Sequence, residues 1–254
     1  LYNVPDIQDT KITLQIIQLL GGKVIRKKGK MIIDSQNIKS KEIPDELMRK
    51  MRSSVILAGA ILGRFKEAVF SYPGDIGRRP IDLHLKGFEM LGTKINKEGG
   101  YIRCSCDRLI GNDIHLDFPS VGATENIILA SVLAEGETTI TNAAMEPEIV
   151  DLQELLNRMG AKVRGAGTNI IKVTGVKNLK SASYNIMPDR IEAGTLLCMG
   201  AITGGTIKIN NVKIEHINPV LHKLEEAGNK IEIEGNSVIL SAPRKLKAVD
   251  IKTM

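Results

Sequence analysis

The sequence contains no tryptophan, and aromatic side chains of all kinds make up only 3% of its 254 residues. Proteins that bind single-stranded nucleic acid usually stack the bases on aromatic rings, so this scarcity argues against such a partner. The formal net charge of +6 indicates anionic partners, but the 35 basic and 29 acidic residues are interspersed and form no basic tract. Small phosphorylated molecules are therefore expected as ligands, and nucleic acid is not.

Cysteine is also scarce, because the chain has only three, an odd number that suits a reducing compartment and not a disulfide framework. Cys104 and Cys106 are two residues apart in a predicted strand over 101–106, so both side chains face the same side. A zinc site would need further ligands, and no other Cys or His stands at a suitable spacing. We interpret the two cysteines as small apolar strand residues and predict no metal site.

Long hydrophobic runs are missing as well. No run reaches the roughly 18 to 20 residues that a membrane-spanning helix needs. No segment at the start of the chain has the basic and then apolar character of a signal peptide. These features predict a cytoplasmic protein that has no membrane partner.

A repeated unit is the most informative feature that the sequence does have. Four stretches can be aligned, QLLGGKVIRKKGKMIID, EMLGTKINKEGGYIRCS, NRMGAKVRGAGTNIIKV and EEAGNKIEIEGNSVILS. Their aligned lysines are Lys23, Lys94, Lys162 and Lys230, at spacings of 71, 68 and 68 residues. A regular supersecondary unit of about this length is therefore predicted.

Each unit combines helical and strand patterns. In the third copy, apolar residues at helical spacing end at Gly160, where a left-handed helix cap belongs. Two alternating strands joined by a Gly-containing turn follow, and then an apolar helix and a further strand. The predicted fold class is α/β (α+β), with units of helix, two strands, helix and strand. The helices beginning near Ser53, Thr124 and Glu192 are apolar all round, which predicts that they are buried.

The two ends of the chain fall inside a unit. The opening LYNVPDI matches segments that come late in the other copies, and the closing AVDIKTM stops where the other copies enter their long helix. This pattern predicts a piece of a longer protein, truncated at both ends. A circularly offset repeat array that is complete as it stands remains the alternative.

Four long strings resemble the UDP-N-acetylglucosamine 1-carboxyvinyltransferases, which are enolpyruvyl transferases. They are MRSSVILAGAILGRF, IGRRPIDLHLKGFEMLG, FPSVGATENIILASVLAEGETTITNAAMEPEIVDL and MPDRIEAGT, in the family's order and spacing. The resemblance covers essentially the whole chain. It implies an inverse α/β barrel fold, in which each of two domains has three units around buried helices. Residues 1–187 would be most of the first domain, with its first unit incomplete, and residues 188–254 the start of the second.

The resemblance also implies an activity. The family transfers the enolpyruvyl group of phosphoenolpyruvate to the 3′-hydroxyl of UDP-N-acetylglucosamine, the first committed step of peptidoglycan synthesis, without a metal or redox cofactor. Those two substrates are the expected partners, and a monomer is expected. We expect the chain alone to be inactive, because the family's base aspartate and further arginines would follow Met254. The alternatives are the sister transferase that acts on shikimate 3-phosphate and a non-catalytic anion-binding or RNA-binding repeat protein.

The family's substrate-binding residues can be placed on this sequence one by one. Arg52 and Arg79 match arginines that hold anionic groups, for which the planar guanidinium is suited. The resemblance implies a uridine pocket lined by Pro80, Ile81, Asp82 and Leu83, and a turn that cradles the diphosphate, formed by Phe118, Pro119, Ser120, Val121 and Gly122. Simpler roles stay open: an exposed arginine for Arg52, a first-turn carboxylate for Asp82 and a helix cap for Ser120.

Four further polar residues lie in or beside the strings that carry the resemblance. The resemblance puts Glu146 and Asp189 near the cleft, but the string MEPEIVD, which holds Glu146 and Glu148, can also be interpreted as the acidic start of a helix. His84 follows the Arg79 stretch and is expected to face the cleft. His115, by contrast, is interpreted as structural, and no pair of histidines has metal-ligand spacing.

The sequence departs from the family at a loop that normally reads Pro-Gly-Gly-Cys-x-Ile-Gly and whose cysteine donates the proton. Here residues 73–77 read PGDIG, which is two residues shorter and has no thiol. Asp75 is the candidate catalytic acid in its place, and an exposed turn aspartate is the simpler alternative. The shortening is either natural or the result of two residues missing from the chain. With two glycines and few apolar residues, the loop over 71–79 is predicted to be mobile and Asp75 to be exposed.

Overall fold

The computed structural model describes residues 1–71 and 80–252, apart from the side chain of Arg52. The predictions for Asp75, for Arg79 and for the mobility of their loop therefore concern residues outside the described part. The chain divides into two compact units, Leu1–Ile186 and Met187–Met254. The assignment of residues 1–187 and 188–254 to the two domains of an enolpyruvyl transferase stays a prediction.

The first unit alternates helices with short strands. Its described helices are α1 (Gln8–Leu19), α2 (Asp45–Lys50), α3 (Leu57–Phe65), α4 (Asp82–Met90), α5 (Val121–Ser131) and α6 (Pro147–Arg158), and a 3-10 helix, Arg52–Ile56, leads directly into α3. Its described strands are β1 (Lys23–Lys27), β2 (Lys30–Asp34), β3 (Glu67–Ser71), β4 (Lys94–Glu98), β5 (Tyr101–Ser105), β6 (Asp113–His115), β7 (Glu137–Thr141), β8 (Lys162–Arg164) and β9 (Ile170–Thr174).

The second unit has the same kinds of element. It contains α7 (Arg190–Ile202), β10 (Thr206–Ile209), a 3-10 helix (Ile214–His216), α8 (Asn218–Glu226), β11 (Lys230–Glu234) and β12 (Ser237–Ser241). In all the described residues, no helix is both long enough and apolar enough to cross a bilayer.

The predicted repeat is confirmed by the sheets. Three sheets have the same order, β3-β5-β4, β7-β9-β8 and β10-β12-β11. In each, the second strand of the hairpin lies in the middle, and the strand that follows the preceding apolar helix pairs with it antiparallel. A short strand that the sequence did not indicate, β6, pairs parallel with β7. In the first copy along the chain, β1 pairs with β2, and Tyr2 bridges Lys30 at the position of the third strand.

The glycine that recurs in each copy has the predicted role. Gly160 follows α6 with a φ of 96°, and Gly92 follows α4 with a φ of 91°. Residues with a side chain rarely adopt this left-handed conformation, whereas glycine adopts it without steric cost. The glycine therefore ends each helix and turns the chain into the first strand of the hairpin.

Two of the three helices predicted to be buried are buried. Most residues of α3 and α5 are inaccessible, and they belong to the large core of the first unit. The two helices approach closely because α3 carries Gly59 and Gly63 on the shared face. A Cβ at Gly59 would lie 2.3 Å from the main-chain oxygen of Asn126, and one at Gly63 would lie 3.1 Å from that of Leu129.

The third prediction, that the helix beginning near Glu192 is buried, is wrong; this helix is α7. Leu197 is fully buried, but Ile191 and Met199 are exposed, and Ile202 is 79% exposed. Within its unit, α7 packs one face against α8 and the strands β10 and β12, so its apolar residues have a partner surface on that face only. A helix that is apolar on all sides is buried only where other elements surround it, as they surround α5.

We expect Gly59→Ala to lower the free energy of unfolding by about 1–3 kcal/mol, because the added methyl group would meet the main chain of α5, which cannot rotate away. Urea denaturation of the chain measures the change. The control is Ala60→Ser, one residue further along the same helix on its exposed side, which should change stability by less than about 0.5 kcal/mol. Equal unfolding midpoints for the two variants would show that the helices do not touch at Gly59.

Candidate anion-binding site

The predicted uridine pocket begins at the start of α4. Ile81 precedes the helix and Leu83 lies in its first turn, and both side chains are buried in the core. Pro80 and Asp82 are exposed, and Asp82 is the first residue of the helix. A ligand at this segment would thus meet the main chain, Pro80 and the Asp82 carboxylate, whereas Ile81 and Leu83 hold the segment in place.

The predicted diphosphate turn lies at the start of α5. Phe118 and Pro119 are exposed, and Ser120 is the cap residue, whose hydroxyl oxygen accepts a hydrogen bond from Ala123 N at 3.4 Å. Val121 and Gly122, the first residues of the helix, are half-buried. The first N–H groups of a helix have no acceptor within the helix itself, so this turn can offer donors to an anion.

A buried hydrogen-bonded pair joins the starts of three helices. His84, in the first turn of α4, is 6% exposed, and its Nδ1 accepts a hydrogen bond from Asn126 Nδ2 of α5 at 2.8 Å. The same Nδ2 donates to the main-chain oxygen of Val55, in the 3-10 helix that Arg52 begins, at 3.0 Å. The helix starts at Arg52, Asp82 and Val121 are therefore tied together through one side-chain amide.

The first turns of α4 and α5 also touch directly. A Cβ at Gly122 would lie 3.1 Å from His84 Cε1, so the imidazole lies against the glycine and would have to shift by a few tenths of an ångström to admit a larger residue. His84 was expected to face the cleft, but the structure instead places it between the helices. The residue is a part of the support for the helix starts.

The electrostatics of this region favour anions. Each helix presents the positive end of its dipole at its start, and the effect is strongest within the first turn. Asp117, just before Phe118, forms an ion pair with Lys86 at 2.8 Å. The hydrogen bond and charge of Lys86 lower the pKa of this exposed carboxyl, so it stays ionised and paired. Its negative charge is thus partly offset beside the turn.

A carboxyl with a raised pKa lies further along α5. Burial, followed by the negative charges of Glu148 and Glu146, raises the pKa of Glu125 to about 7. Glu146 is the residue before α6 and Glu148 lies in its first turn, so both have the helix-start positions that the sequence left open as an alternative. Glu125 therefore changes charge near neutral pH, which the sequence did not predict.

Two other residues have local roles. Asp189 caps α7, where its carboxylate accepts hydrogen bonds from the N–H groups of Ile191 and Glu192 at 2.7 and 3.1 Å. His115 Nδ1 lies 2.9 Å from Thr141 Oγ1 on the neighbouring strand. These contacts account for Asp189 as a helix cap and for His115 as a strand residue.

The two neighbouring cysteines have the environment predicted for them. Cys104 is buried on β5, and desolvation raises the pKa of its thiol to about 12. Burial also raises the pKa of Cys106, which lies just after the strand. Neither thiol is thus activated as a nucleophile. In the described part of the chain, no group of three or more His, Cys, Asp or Glu side chains is arranged to hold a metal.

The roles predicted for the two arginines and for Asp75 stay predictions, because those side chains lie outside the described part. The structure does bring together the starts of the helices on which Arg52, Asp82 and Ser120 stand. Sequence reasoning missed Asn126 as the connecting residue. The available signal was an amide within ATENIILAS, a helix otherwise largely apolar, because a buried polar side chain needs hydrogen-bond partners.

Comparison with known proteins agrees with this architecture. A sequence model of the family described as EPSP synthase (3-phosphoshikimate 1-carboxyvinyltransferase) matches residues 1–254. The chain is similar to the enolpyruvyl transferase NikO from Streptomyces tendae, with a TM-score of 0.86 and 21% identity over 100% of this chain and 62% of that one. EPSP synthase from Acinetobacter baumannii aligns with a TM-score of 0.68 and 22% identity, over 98% of this chain and 60% of that one.

The fold is thus that of the enolpyruvyl transferases, and the predicted fold class is confirmed. The chain belongs to the EPSP synthase family. It is 48% identical over 253 residues to UDP-N-acetylglucosamine 1-carboxyvinyltransferase 2 of Caldanaerobacter subterraneus subsp. tengcongensis, covering 99% of this chain and 61% of that protein. It is 49% identical over 257 residues to UDP-N-acetylglucosamine 1-carboxyvinyltransferase 1 of Carboxydothermus hydrogenoformans, covering 100% and 61%. The chain therefore spans about 61% of the length of these relatives.

We expect Glu125→Gln to stabilise the protein at pH 8 and not at pH 4.5. Because its pKa is raised, folded Glu125 keeps a proton that the unfolded chain releases above about pH 4.5, so wild-type stability falls between about pH 4.5 and 7. The neutral amide avoids this loss, and the variant should be more stable by about 1–3 kcal/mol at pH 8. Thermal unfolding across this pH range measures the difference.

Glu137→Gln is the matched control, because the pKa of that exposed carboxyl is lowered, mainly by its hydrogen bond with Lys172, and not raised. This substitution should give no gain in melting temperature at pH 8. A Glu125→Gln variant whose melting temperature follows the wild type at every pH would contradict the raised pKa.

Proposed function

We propose that the whole protein transfers the enolpyruvyl group of phosphoenolpyruvate to the 3′-hydroxyl of UDP-N-acetylglucosamine, in the first committed step of peptidoglycan synthesis. The observation that carries this proposal is the identity of 47–49% to relatives named UDP-N-acetylglucosamine 1-carboxyvinyltransferase along essentially the full chain. The convergence of three helix starts supports it, because both proposed substrates carry phosphate groups.

The chemistry assigns different tasks to different parts of the site. The reaction adds the sugar hydroxyl across the double bond of phosphoenolpyruvate, with its oxygen on C2 and a proton on C3. It then eliminates phosphate together with a proton from C3, which restores the double bond. Cationic groups must hold the phosphate and carboxylate of phosphoenolpyruvate, and Arg52 and Arg79 are proposed for this task. The N–H groups at the start of α5 are proposed to hold the diphosphate of the nucleotide, with Phe118, Pro119 and Ser120 around it.

The proton donor is proposed to be Asp75. A carboxyl group can deliver a proton to carbon only if its pKa is raised enough to keep it protonated near neutral pH. Closure of its loop over bound substrate would exclude water and raise that pKa. The support for this role is the resemblance in sequence, because Asp75 stands in the loop where the family pattern has a cysteine.

The remaining attributes follow from the same proposal. A cytoplasmic location fits substrates that are made and used inside the cell, and the unactivated Cys104 and Cys106 are compatible with a reducing compartment. The transferase is proposed to act as a monomer that needs no cofactor. The second candidate function is transfer to shikimate 3-phosphate, because the matching family model carries that enzyme's description.

Calorimetric titration of the whole protein separates the two candidates. We expect UDP-N-acetylglucosamine to bind with a dissociation constant of about 1 mM or tighter and shikimate 3-phosphate to give no heat of binding at the same concentrations. Saturable binding of shikimate 3-phosphate, without binding of the sugar nucleotide, would support the second function instead.

Release of phosphate from phosphoenolpyruvate in the presence of UDP-N-acetylglucosamine then tests Asp75. Asp75→Asn should lower the rate by roughly 100-fold or more while leaving the affinity for the nucleotide unchanged. An unchanged rate would remove Asp75 from the mechanism and leave the substrate assignment intact.

A further inference from the structure

We propose that Asn126 and His84 are positioning residues for the anion site. Their hydrogen-bonded pair sets how the three helix starts stand relative to one another. The inference rests on the proposed function, because the helix starts matter only if an anionic substrate binds there. Both side chains are buried, so they act through the main chain and through the helices.

Asn126 joins two groups that would bond to each other in a regular helix. In an α-helix the N–H of Gly59 donates to the carbonyl oxygen of Val55, four residues earlier. Here Asn126 Oδ1 accepts from Gly59 N at 2.7 Å, and Asn126 Nδ2 donates to Val55 O at 3.0 Å. The amide thus lies at the point where the 3-10 helix Arg52–Ile56 changes into α3, which begins at Leu57. A side chain inserted into the ladder redirects the turn that precedes it.

This arrangement fixes the orientation of the amide and then that of His84. Val55 O can only accept and Gly59 N can only donate, so the oxygen and nitrogen of the Asn126 amide cannot be exchanged. The second hydrogen of Nδ2 therefore points at His84 Nδ1, which must accept it. A neutral imidazole that accepts at Nδ1 carries its proton on Nε2. A Cβ at Gly122 would lie 3.4 Å from Nε2, so that side of the ring faces the first turn of α5.

The Asn126–His84 pair sets the direction in which the N–H groups at the helix starts point, and it also stabilises the packing of the helices. Asn126 is hydrogen-bonded to Val55, in the 3-10 helix that begins at Arg52, and to His84 in the first turn of α4. The imidazole of His84 in turn contacts Gly122, in the turn proposed to hold the diphosphate. Helix N–H groups bind an anion well only when they point at it, and a misplacement of about 1 Å can cost up to roughly 100-fold in function. Removing the hydrogen-bond acceptor at His84 should therefore weaken substrate binding, and a loss of stability alone would not explain this effect.

The test compares two substitutions of His84 in the whole protein. Asn at this position places its Oδ1 close to the place of Nδ1 and so keeps an acceptor for Asn126, whereas Leu has none. We expect His84→Leu to raise the dissociation constant of UDP-N-acetylglucosamine roughly tenfold and His84→Asn to recover most of that loss. Hydrogen exchange over residues 52–59 should be faster in His84→Leu than in the wild type.

Val173→Ala is the control, because Val173 is a fully buried residue of β9 in the same core. It should lower the melting temperature but leave the dissociation constant within roughly twofold of the wild type. If His84→Leu does not fold, His84→Gln replaces it, since the longer side chain keeps a polar group but carries its amide beyond the place of Nδ1.

The outcomes are distinct. A wild-type dissociation constant in His84→Leu or, if that variant does not fold, in His84→Gln, accompanied by a lowered melting temperature, would reduce the pair to a structural role and overturn the inference. Failure of His84→Asn to improve on the variant without the acceptor would also overturn it. Absence of nucleotide binding by the wild type would overturn the proposed function, and the positioning role with it.

Discussion

The close approach of three helices in the first unit is the constraint on which the rest of its structure depends. Helix α5 meets α3 at Gly59 and Gly63 and meets α4 at Gly87, where an added Cβ would lie 2.4 Å from Ile127 Cγ1. At the first two glycines an added Cβ would meet the main chain of α5, and at Gly87 it would meet the side chain of Ile127, so larger residues would push the helices apart. Glycine therefore provides the room in which one polar side chain, Asn126, can reach groups on both neighbouring helices.

The amide of Asn126 contributes both to the packing of the helices and to the electrostatics of the helix starts. Buried polar groups are costly unless their hydrogen bonds are made, and Asn126 makes three, which fixes its own orientation and that of the groups around it. The bonds hold together helix starts whose dipoles would otherwise repel one another. An anion bound at the starts would offset this repulsion, so the arrangement is one that an anionic substrate would stabilise.

Much of the fold could be predicted from the sequence, because its signals are local. The glycine after each helix, as at Gly160, and the alternating strands recur at nearly constant spacing, and the sheets follow them. The exposure of Ile202 could not be predicted, since burial depends on which neighbours surround a helix. The link between His84 and Asn126 joins residues 42 positions apart, and no local pattern indicates a pairing of that kind.

The crystal structure of the whole protein with UDP-N-acetylglucosamine bound, without phosphoenolpyruvate, tests the central claim most directly. Our account predicts that oxygens of the diphosphate lie within about 3.2 Å of the main-chain nitrogens of Val121 or Gly122, a hydrogen-bonding distance, with His84 still bonded to Asn126. A diphosphate bound away from all three helix starts, with the first turn of α5 facing only solvent, would contradict it.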